Sequence, residues 1–362
     1  MSTPMITVDK TNPADAKLTF MELYEINDGQ VRVRVEQFGF SANNVTYGVA
    51  GDFLGYWQFF PANEPERGII PVWGYGKVIE SAHDDVRLGE RLFGYFPMGA
   101  DVILSPGNIS DAALFDMAPH RSQLPPVYNQ YVRIKNEATD WSDIEAARML
   151  LSPVIITSYV LYDYEHDADF FGAEQIIIAS ASSKTAIGLA QMLSEDTDKK
   201  VKTIGLTSAT NKGFVEGLGF YDQVLTYDQI DALPNVASAF VDMSGNGVVV
   251  AGVHNHLADN LKDSCIVGMT HWDQGRAEGE LPGPPPTMFF APTEIAKKVA
   301  ELGPEEATRR RDEKVYKIIK GATDWLTINQ VSGGNAAVQV MNDFVANKIS
   351  PDQGYVLTVT KD

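Results

Sequence analysis

Apolar and polar positions follow two different periods along this chain. From Val31 to Glu36 the residues read Val-Arg-Val-Arg-Val-Glu, the period-two pattern of a strand with one face in solvent. Ile70–Ile79, Glu90–Phe96 and Tyr128–Ile134 predict further strands, punctuated by glycines and by Asp84-Asp85 at turns. Residues 1–135 therefore predict a strand-rich region whose natural packing is a compact barrel.

The pattern changes near residue 140. Ser142, with Glu145 three residues on, has the spacing of a capping box and predicts a helix through Met149 and Leu150. Pro153 predicts a stop or kink, with a second helix from Val154 to Tyr164. From Phe170 onward strands and helices alternate. The strands fall at 175–179, 201–206, 223–226, 237–242 and 264–269, and the helices at 185–195, 211–218 and 247–262. Such alternation predicts a Rossmann-like, doubly wound parallel sheet with helices on both faces. A proline-rich linker or lid, Leu281–Pro286, precedes helices near 293–302 and 304–319, a helix Asn335–Asn347 and a strand Tyr355–Thr360. The fold class expected is α/β, with one β-rich domain from 1–150 and 320–362 and a cofactor-binding domain from 151–319.

The strand Gln175–Ala179 runs into Ser180-Ala181-Ser182-Ser183-Lys184-Thr185, and a helix follows from Ala186. A phosphate can sit on the free N–H groups and positive dipole end of such a helix. The dinucleotide fingerprint wants Gly-x-Gly-x-x-Gly, for a tight turn and close backbone approach. Here only Gly188 stands where the last glycine could be; small hydroxyl residues fill the rest, and Lys184 adds a positive charge. The alternative is an ordinary strand–helix turn with a solvated lysine. A P-loop reading fails, because Ile178 and Ser183 occupy its glycine positions.

At the end of the second strand an acidic residue would grip a ribose 2′-hydroxyl. This chain has Thr207, Ser208, Asn211 and Lys212 instead, which suits a 2′-phosphate and predicts NADP(H) over NAD(H). The bland alternative is a solvated Lys212.

Composition narrows the partners. The formal charge of −19 repels nucleic acid and anionic membranes, so a small-molecule substrate is expected instead. The single cysteine, Cys265, rules out an internal disulfide and a cysteine metal cage, and is expected in the core. The N-terminus lacks a signal-peptide pattern, and the run Met149–Tyr162 reads as too short and interrupted to cross a bilayer, so a cytoplasmic protein is expected. His254 and His256 sit two apart on an expected helix and splay too widely to share one ion. No metal is expected.

Several stretches together suggest a family. These are Gly29–Val35, Phe40–Tyr47, Gly89–Gly94, Leu218–Val224, Ala239–Asp242 with Gly245, and Val267-Gly268. In order and content the chain resembles the medium-chain dehydrogenase/reductase superfamily, closest to zinc-free, quinone-oxidoreductase-like members. It departs from them in its glycine-poor cofactor loop. The resemblance implies a GroES-like barrel beside the Rossmann-like domain, and a homodimer through Rossmann edge strands. It also implies that Asn44 and Tyr47 face the nicotinamide, that Thr157 lies near the cofactor, and that Met243, Gly268 and Thr270 join Ser180, Ser182, Ser183, Lys184 and Thr185 in binding it.

Two proton or hydrogen-bond donors are candidates for catalysis. Tyr47 could donate to a developing enolate or alkoxide, unless it is a barrel tyrosine with a satisfied hydroxyl. His271, after a parallel strand's C-terminal end, could donate a proton or position a carbonyl, unless it is a loop residue packed by Trp272. Phe53, Tyr56, Trp57, Trp272 and Phe290 suggest an apolar or aromatic substrate. The expected activity is NADPH-dependent, zinc-free hydride transfer to or from an activated C=C or C=O. A nucleotide-binding protein without turnover, and a non-redox lyase or isomerase, stay open.

Overall fold

The computed structural model describes residues 2–267 and 280–360. It divides into two units, Met1–Leu150 with Leu326–Asp362, and Leu151–Trp325.

The first unit is built on strands β1 (Ser2–Asp9), β2 (Ala16–Glu22), β3 (Val31–Phe40), β4 (Arg67–Gly68), β5 (Pro71–Ser81), β6 (Arg91–Pro97), β7 (Asp101–Leu104), β8 (Pro106–Gly107), β9 (Ala113–Asp116) and β10 (Gln130–Arg133). β1 pairs with β2 and β4 in a small sheet. A larger sheet holds β3, β5, β6, β10, β9 and β8 in that order, with β7 also on β3. The period-two pattern of β3 works as expected at Val31, Val33 and Val35, all buried, with Arg34 exposed on the opposite face; Arg32 on that face is buried instead, its Nε donating to Glu80 Oε2 at 2.8 Å. The chain returns to this unit at its C-terminus.

Among the described residues the second unit holds six parallel strands. With β11 (Gln175–Ala179), β12 (Lys202–Thr207), β13 (Gln223–Thr226), β14 (Ser238–Asp242), β15 (Leu261–Ile266) and β16 (Thr287–Met288), the order is β13-β12-β11-β14-β15-β16. The direction of winding reverses beside β11, the switch point where such sheets bind ligands. The intervening helices are α2 (Glu145–Asp167), α3 (Lys184–Glu195), α4 (Lys212–Leu218) and α5 (Gly247–Leu257), of which α2 starts in the first unit. α1 (Ala42–Val49) lies in the first unit. Alternate residues of β11 serve opposite faces. Ile176 and Ile178 pack with Leu189 and Leu193 of α3, whereas Ile177 and Ala179 pack with Val249 and Val253 of α5. The doubly wound sheet expected from the sequence is therefore present. Helices α6 (Ala291–Leu302) and α7 (Pro304–Gly321) close this unit; β17 (Thr327–Ser332), α8 (Gly334–Val345) and β18 (Gln353–Thr358) return to the first, where β18 joins β3.

Three local expectations are corrected. Pro153 neither stops nor splits α2, which is one helix of 23 residues. A mid-helix proline costs about 3 kcal/mol, but Val154, Ile155, Val160 and Leu161 are all buried, and each such side chain contributes roughly 1.5–3 kcal/mol. Ser142 does not cap this helix with its side chain; it opens a short 3-10 turn, and its N–H donates to Asp140 Oδ1 at 3.0 Å. α5 ends at Leu257 rather than 262, because Ala258 turns the backbone (φ 46°) and Leu261 already pairs with Ser238. The apolar run of α2 lies in one uninterrupted helix. Ser142–Asp167 is, among the described residues, the one helix long and apolar enough to cross a bilayer, and 61% of its apolar window is buried inside the protein, as in a core helix.

One buried acid stands out on α2. Glu165 is fully buried, and among the described residues neither carboxylate oxygen has a hydrogen-bond partner. Burial, assisted by the nearby Asp263 carboxylate, pushes its pKa up to about 8.

Candidate functional site

β11 delivers the chain to Ser180, which adopts the left-handed region (φ 56°) that favours glycine. Ser183 then caps α3, its Oγ accepting from the Ala186 N–H at 3.4 Å. Lys184 and Thr185 form the first turn, where backbone donors lack intrahelical acceptors. The Ala181 N–H donates to the Leu206 carbonyl (3.0 Å), Tyr221 Oη donates to the Ala181 carbonyl (2.9 Å), and Asn211 Nδ2 donates to Ser182 Oγ (3.1 Å). Tyr227 is hydrogen-bonded to Ser180.

Glycine is used one layer out from the loop. A Cβ on Gly205 of β12 would stand 2.9 Å from Ala181 Cβ and from Tyr221 Cδ1. A Cβ on Gly188 would stand 2.4 Å from Ile155 Cδ1 and 2.7 Å from Ser158 Oγ, so this glycine serves the close packing of α3 on α2. At the end of β12 the Thr207 hydroxyl is buried without a partner among the described residues. Ser208 Oγ accepts from the Asn211 N–H at 3.3 Å. Lys212 opens α4, 3.8 Å from Glu216 one turn along, an exposed pair of little strength. Serine hydroxyls at a helix N-terminus, an orphaned threonine at the strand end and a lysine beyond it fit a phosphorylated dinucleotide.

The first unit gathers phenols. Phe40–Tyr47 is not a loop: β3 runs to Phe40 and α1 follows, with Ser41 and Asn44 forming its capping box. Asn44 Oδ1 accepts from the Ser41 N–H (2.9 Å) and Nδ2 donates to the Pro71 carbonyl (3.3 Å), so the amide expected to meet nicotinamide is engaged at both ends. Tyr47 is buried on α1, its ring 4.6 Å from that of Tyr56 and 5.9 Å from that of Tyr95. Tyr56 and Tyr128 share a hydroxyl–hydroxyl hydrogen bond of 3.2 Å, and the rings of Tyr128 and Tyr95 lie 4.8 Å apart. The Tyr95 hydroxyl is buried and, among the described residues, unpartnered. Burial above all, then the neighbouring phenols, raises all four hydroxyls well above the usual tyrosine range. They stay protonated at neutral pH. Arg121 braces the cluster: buried against Asp116 at 3.1 Å, it lies 4.4 Å over the Phe60 ring and donates to the Phe59 carbonyl (3.2 Å).

A family model described as a protein of unknown function, DUF2855, matches residues 38–350. The chain belongs to the DUF2855 family. Solved structures similar to it include CurA from Vibrio vulnificus in complex with NADPH (12% identity, 99% of this chain and 100% of that one, TM-score 0.60). The quinone oxidoreductase from Coxiella burnetii is also similar (14%, 99% and 100%, TM-score 0.55), as is S. aureus TarJ in complex with NADPH (11%, 99% and 100%, TM-score 0.55). At these identities the likeness is one of fold, and it bears out the expected fold class. A comparison with curated protein sequences finds no match.

Within this DUF2855 member the expected residues separate into groups. Ser180, Ser182, Ser183, Lys184, Thr185, Thr207, Ser208 and Lys212 gather at the C-terminal ends of β11 and β12. Met243 follows β14, its N–H donating to the Ala179 carbonyl at 3.3 Å. Thr157 bonds the Pro153 carbonyl on its own helix (3.2 Å). Tyr47 and Tyr56 meet in the phenol cluster. Trp57 does not join their hydroxyl network; its ring fills notches at Gly51 and Gly68, where a Cβ would lie 2.1 and 2.4 Å from it. Phe53 is 80% exposed, and Phe290 is half exposed at the start of α6. Gly268, Thr270, His271 and Trp272 lie outside the described residues. His254 and His256 turn to different neighbours, the first to the Pro282 carbonyl and Ser264 Oγ, the second to the Leu233 carbonyl. Tyr95, Tyr128 and Trp73 were missed as site candidates; Trp73 and Tyr95 face each other across β5 and β6.

Proposed function

We propose that this chain is an NADPH-dependent, zinc-free oxidoreductase. It moves hydride to or from an apolar or aromatic substrate bearing an activated C=C or C=O. The observation that carries the reading is the hydroxyl-lined turn Ser180–Ser183 ahead of α3, at the switch point of a doubly wound sheet. The NADPH complexes of CurA and TarJ, which share the fold, support the choice of coenzyme.

Ser182, Ser183, Lys184 and Thr185 hold the diphosphate, and Ser208 and Lys212 hold the 2′-phosphate. Bound NADPH supplies the hydride. The phenol of Tyr47 donates a hydrogen bond to the substrate oxygen on which negative charge develops. Its raised pKa keeps the hydroxyl protonated in the free protein, ready to donate to that oxygen. The aromatic walls of Tyr56, Tyr95 and Tyr128 favour a flat apolar substrate.

The test is a fluorescence titration with NADPH and NADH, followed by enones, aldehydes and quinones. Tighter binding of NADPH, and its oxidation by at least one of these, is the expected result. Binding without oxidation across the panel would favour a nucleotide-binding protein without turnover. No binding of either nucleotide would overturn the proposal.

A further inference from the structure

The turn Ser180–Ser183 lacks the glycines that let a backbone pass close beneath a diphosphate, yet it holds a left-handed residue at its first position. Such a residue costs about 1–3 kcal/mol and persists only where its surroundings over-determine it. Within the turn the Ser183 N–H donates to the Ser180 carbonyl at 2.8 Å, and four further contacts reach it from outside: the Leu206 carbonyl, Asn211, Tyr221 and Tyr227. Tyr221 reaches the Ala181 carbonyl only because residue 205, beneath its ring, is glycine.

The polarity of these bonds matters. An amide –NH₂ can only donate, so Ser182 Oγ must accept from Asn211 Nδ2. Ser183 Oγ likewise accepts from the Ala186 N–H. Each serine keeps its own proton for another acceptor.

We propose that Asn211 and Tyr221 are positioning residues of the coenzyme site. Asn211 fixes the Ser182 hydroxyl as a donor to the diphosphate, and Tyr221 fixes the backbone at Ala181. Oriented hydroxyls thereby replace the close backbone approach that glycines allow elsewhere. The inference rests on the reading that the second unit holds NADPH. It makes a directional demand: an Asp at 211 would accept the Ser182 proton and withdraw it from the phosphate, besides adding like charge.

The experiment measures NADPH dissociation constants and apo melting temperatures for the native chain and five variants, the double Ser182→Ala, Asn211→Ala among them. Asn211→Ala and Tyr221→Phe each weaken NADPH roughly fivefold, the worth of one neutral hydrogen bond. Asn211→Asp weakens it by about thirtyfold or more, as a charged group is involved. In a Ser182→Ala background, Asn211→Ala has no further effect, since the two act through one hydroxyl. The expected apo melting temperatures of the two Asn211 variants match, which separates positioning from a purely structural role. Equal losses from Asn211→Ala in both backgrounds, or tighter binding by the Asp variant than by the Ala variant, would overturn the inference alone. A native chain that binds no NADPH would overturn the coenzyme reading and this inference with it.

Discussion

Glu165 offers a sharp test of how the second unit is packed. Its carboxyl is fully buried on α2, no described group bonds either oxygen, and Asp263 adds like charge. The folded protein therefore keeps the proton up to about pH 8, whereas the ordinary value is 4.5. Below pH 4.5 both folded and unfolded chains are protonated, and this site imposes no penalty. Between pH 4.5 and about 8 only the unfolded chain releases the proton, so stability falls as pH rises; above that it levels off. At about 1.4 kcal/mol per pH unit the full span is at most about 5 kcal/mol. Relaxation and water entry around a buried acid reduce this to roughly 2–4 kcal/mol. Glu165→Gln keeps the shape and removes the titration. Urea unfolding followed by circular dichroism from pH 5 to 9 should show native chain and variant within about 1 kcal/mol at pH 5. At pH 8.5 the variant should be more stable by roughly 2–4 kcal/mol. Parallel pH profiles for the two proteins would refute the reasoning.

Lys212→Ala should weaken NADPH about tenfold and NADH less than about twofold, since it removes one charge from the 2′-phosphate; equal losses in paired titrations would show that Lys212 does not contact that group. Gly188→Ala places a Cβ against Ile155 and Ser158 and should cost about 1–3 kcal/mol, read as a lower melting temperature; an unchanged melting temperature would mean that α2 and α3 are not so close. Arg121→Leu leaves the buried Asp116 carboxylate, which still accepts from the Ser105 and Ala118 N–H groups, without its counter-charge and should destabilise the first unit by about 3–5 kcal/mol in urea unfolding; unchanged stability would argue against a direct pair. Tyr47→Phe should lower kcat with the carbonyl substrate about tenfold or more, leaving the NADPH dissociation constant unchanged; an unaltered kcat would remove Tyr47 from the chemistry.

Much of the architecture could be read from periodicity. The change from period two to alternating strands and helices near residue 140 marked the two kinds of sheet, because a strand with one wet face and a strand covered on both faces leave different patterns. Short-range propensity misled at Pro153, where burial along α2 outweighs a missing hydrogen bond. α1 was illegible because eight residues with two asparagines, a glycine and three β-branched side chains carry little helical signal; the Ser41–Asn44 cap and its tertiary setting supply the rest. The strand–loop–helix around Ser180 was visible as contiguous sequence. Its tethers were not, because Asn211, Tyr221 and Tyr227 come from the following elements, and only the pairing of β11 with β12 brings them back. The phenol cluster was hidden for the same reason. Tyr47, Tyr56, Tyr95 and Tyr128 are dispersed along the chain and meet through antiparallel strand pairing and a loop ahead of β10.

A crystal structure of the chain grown with saturating NADPH examines the central claim directly. The diphosphate should lie against α3, within hydrogen-bonding distance of the Ser182 and Ser183 hydroxyls and of the first-turn N–H groups, with the Asn211–Ser182 bond intact. NADPH seated elsewhere, with the Ser180–Ser183 turn filled by its own side chains, would contradict the account.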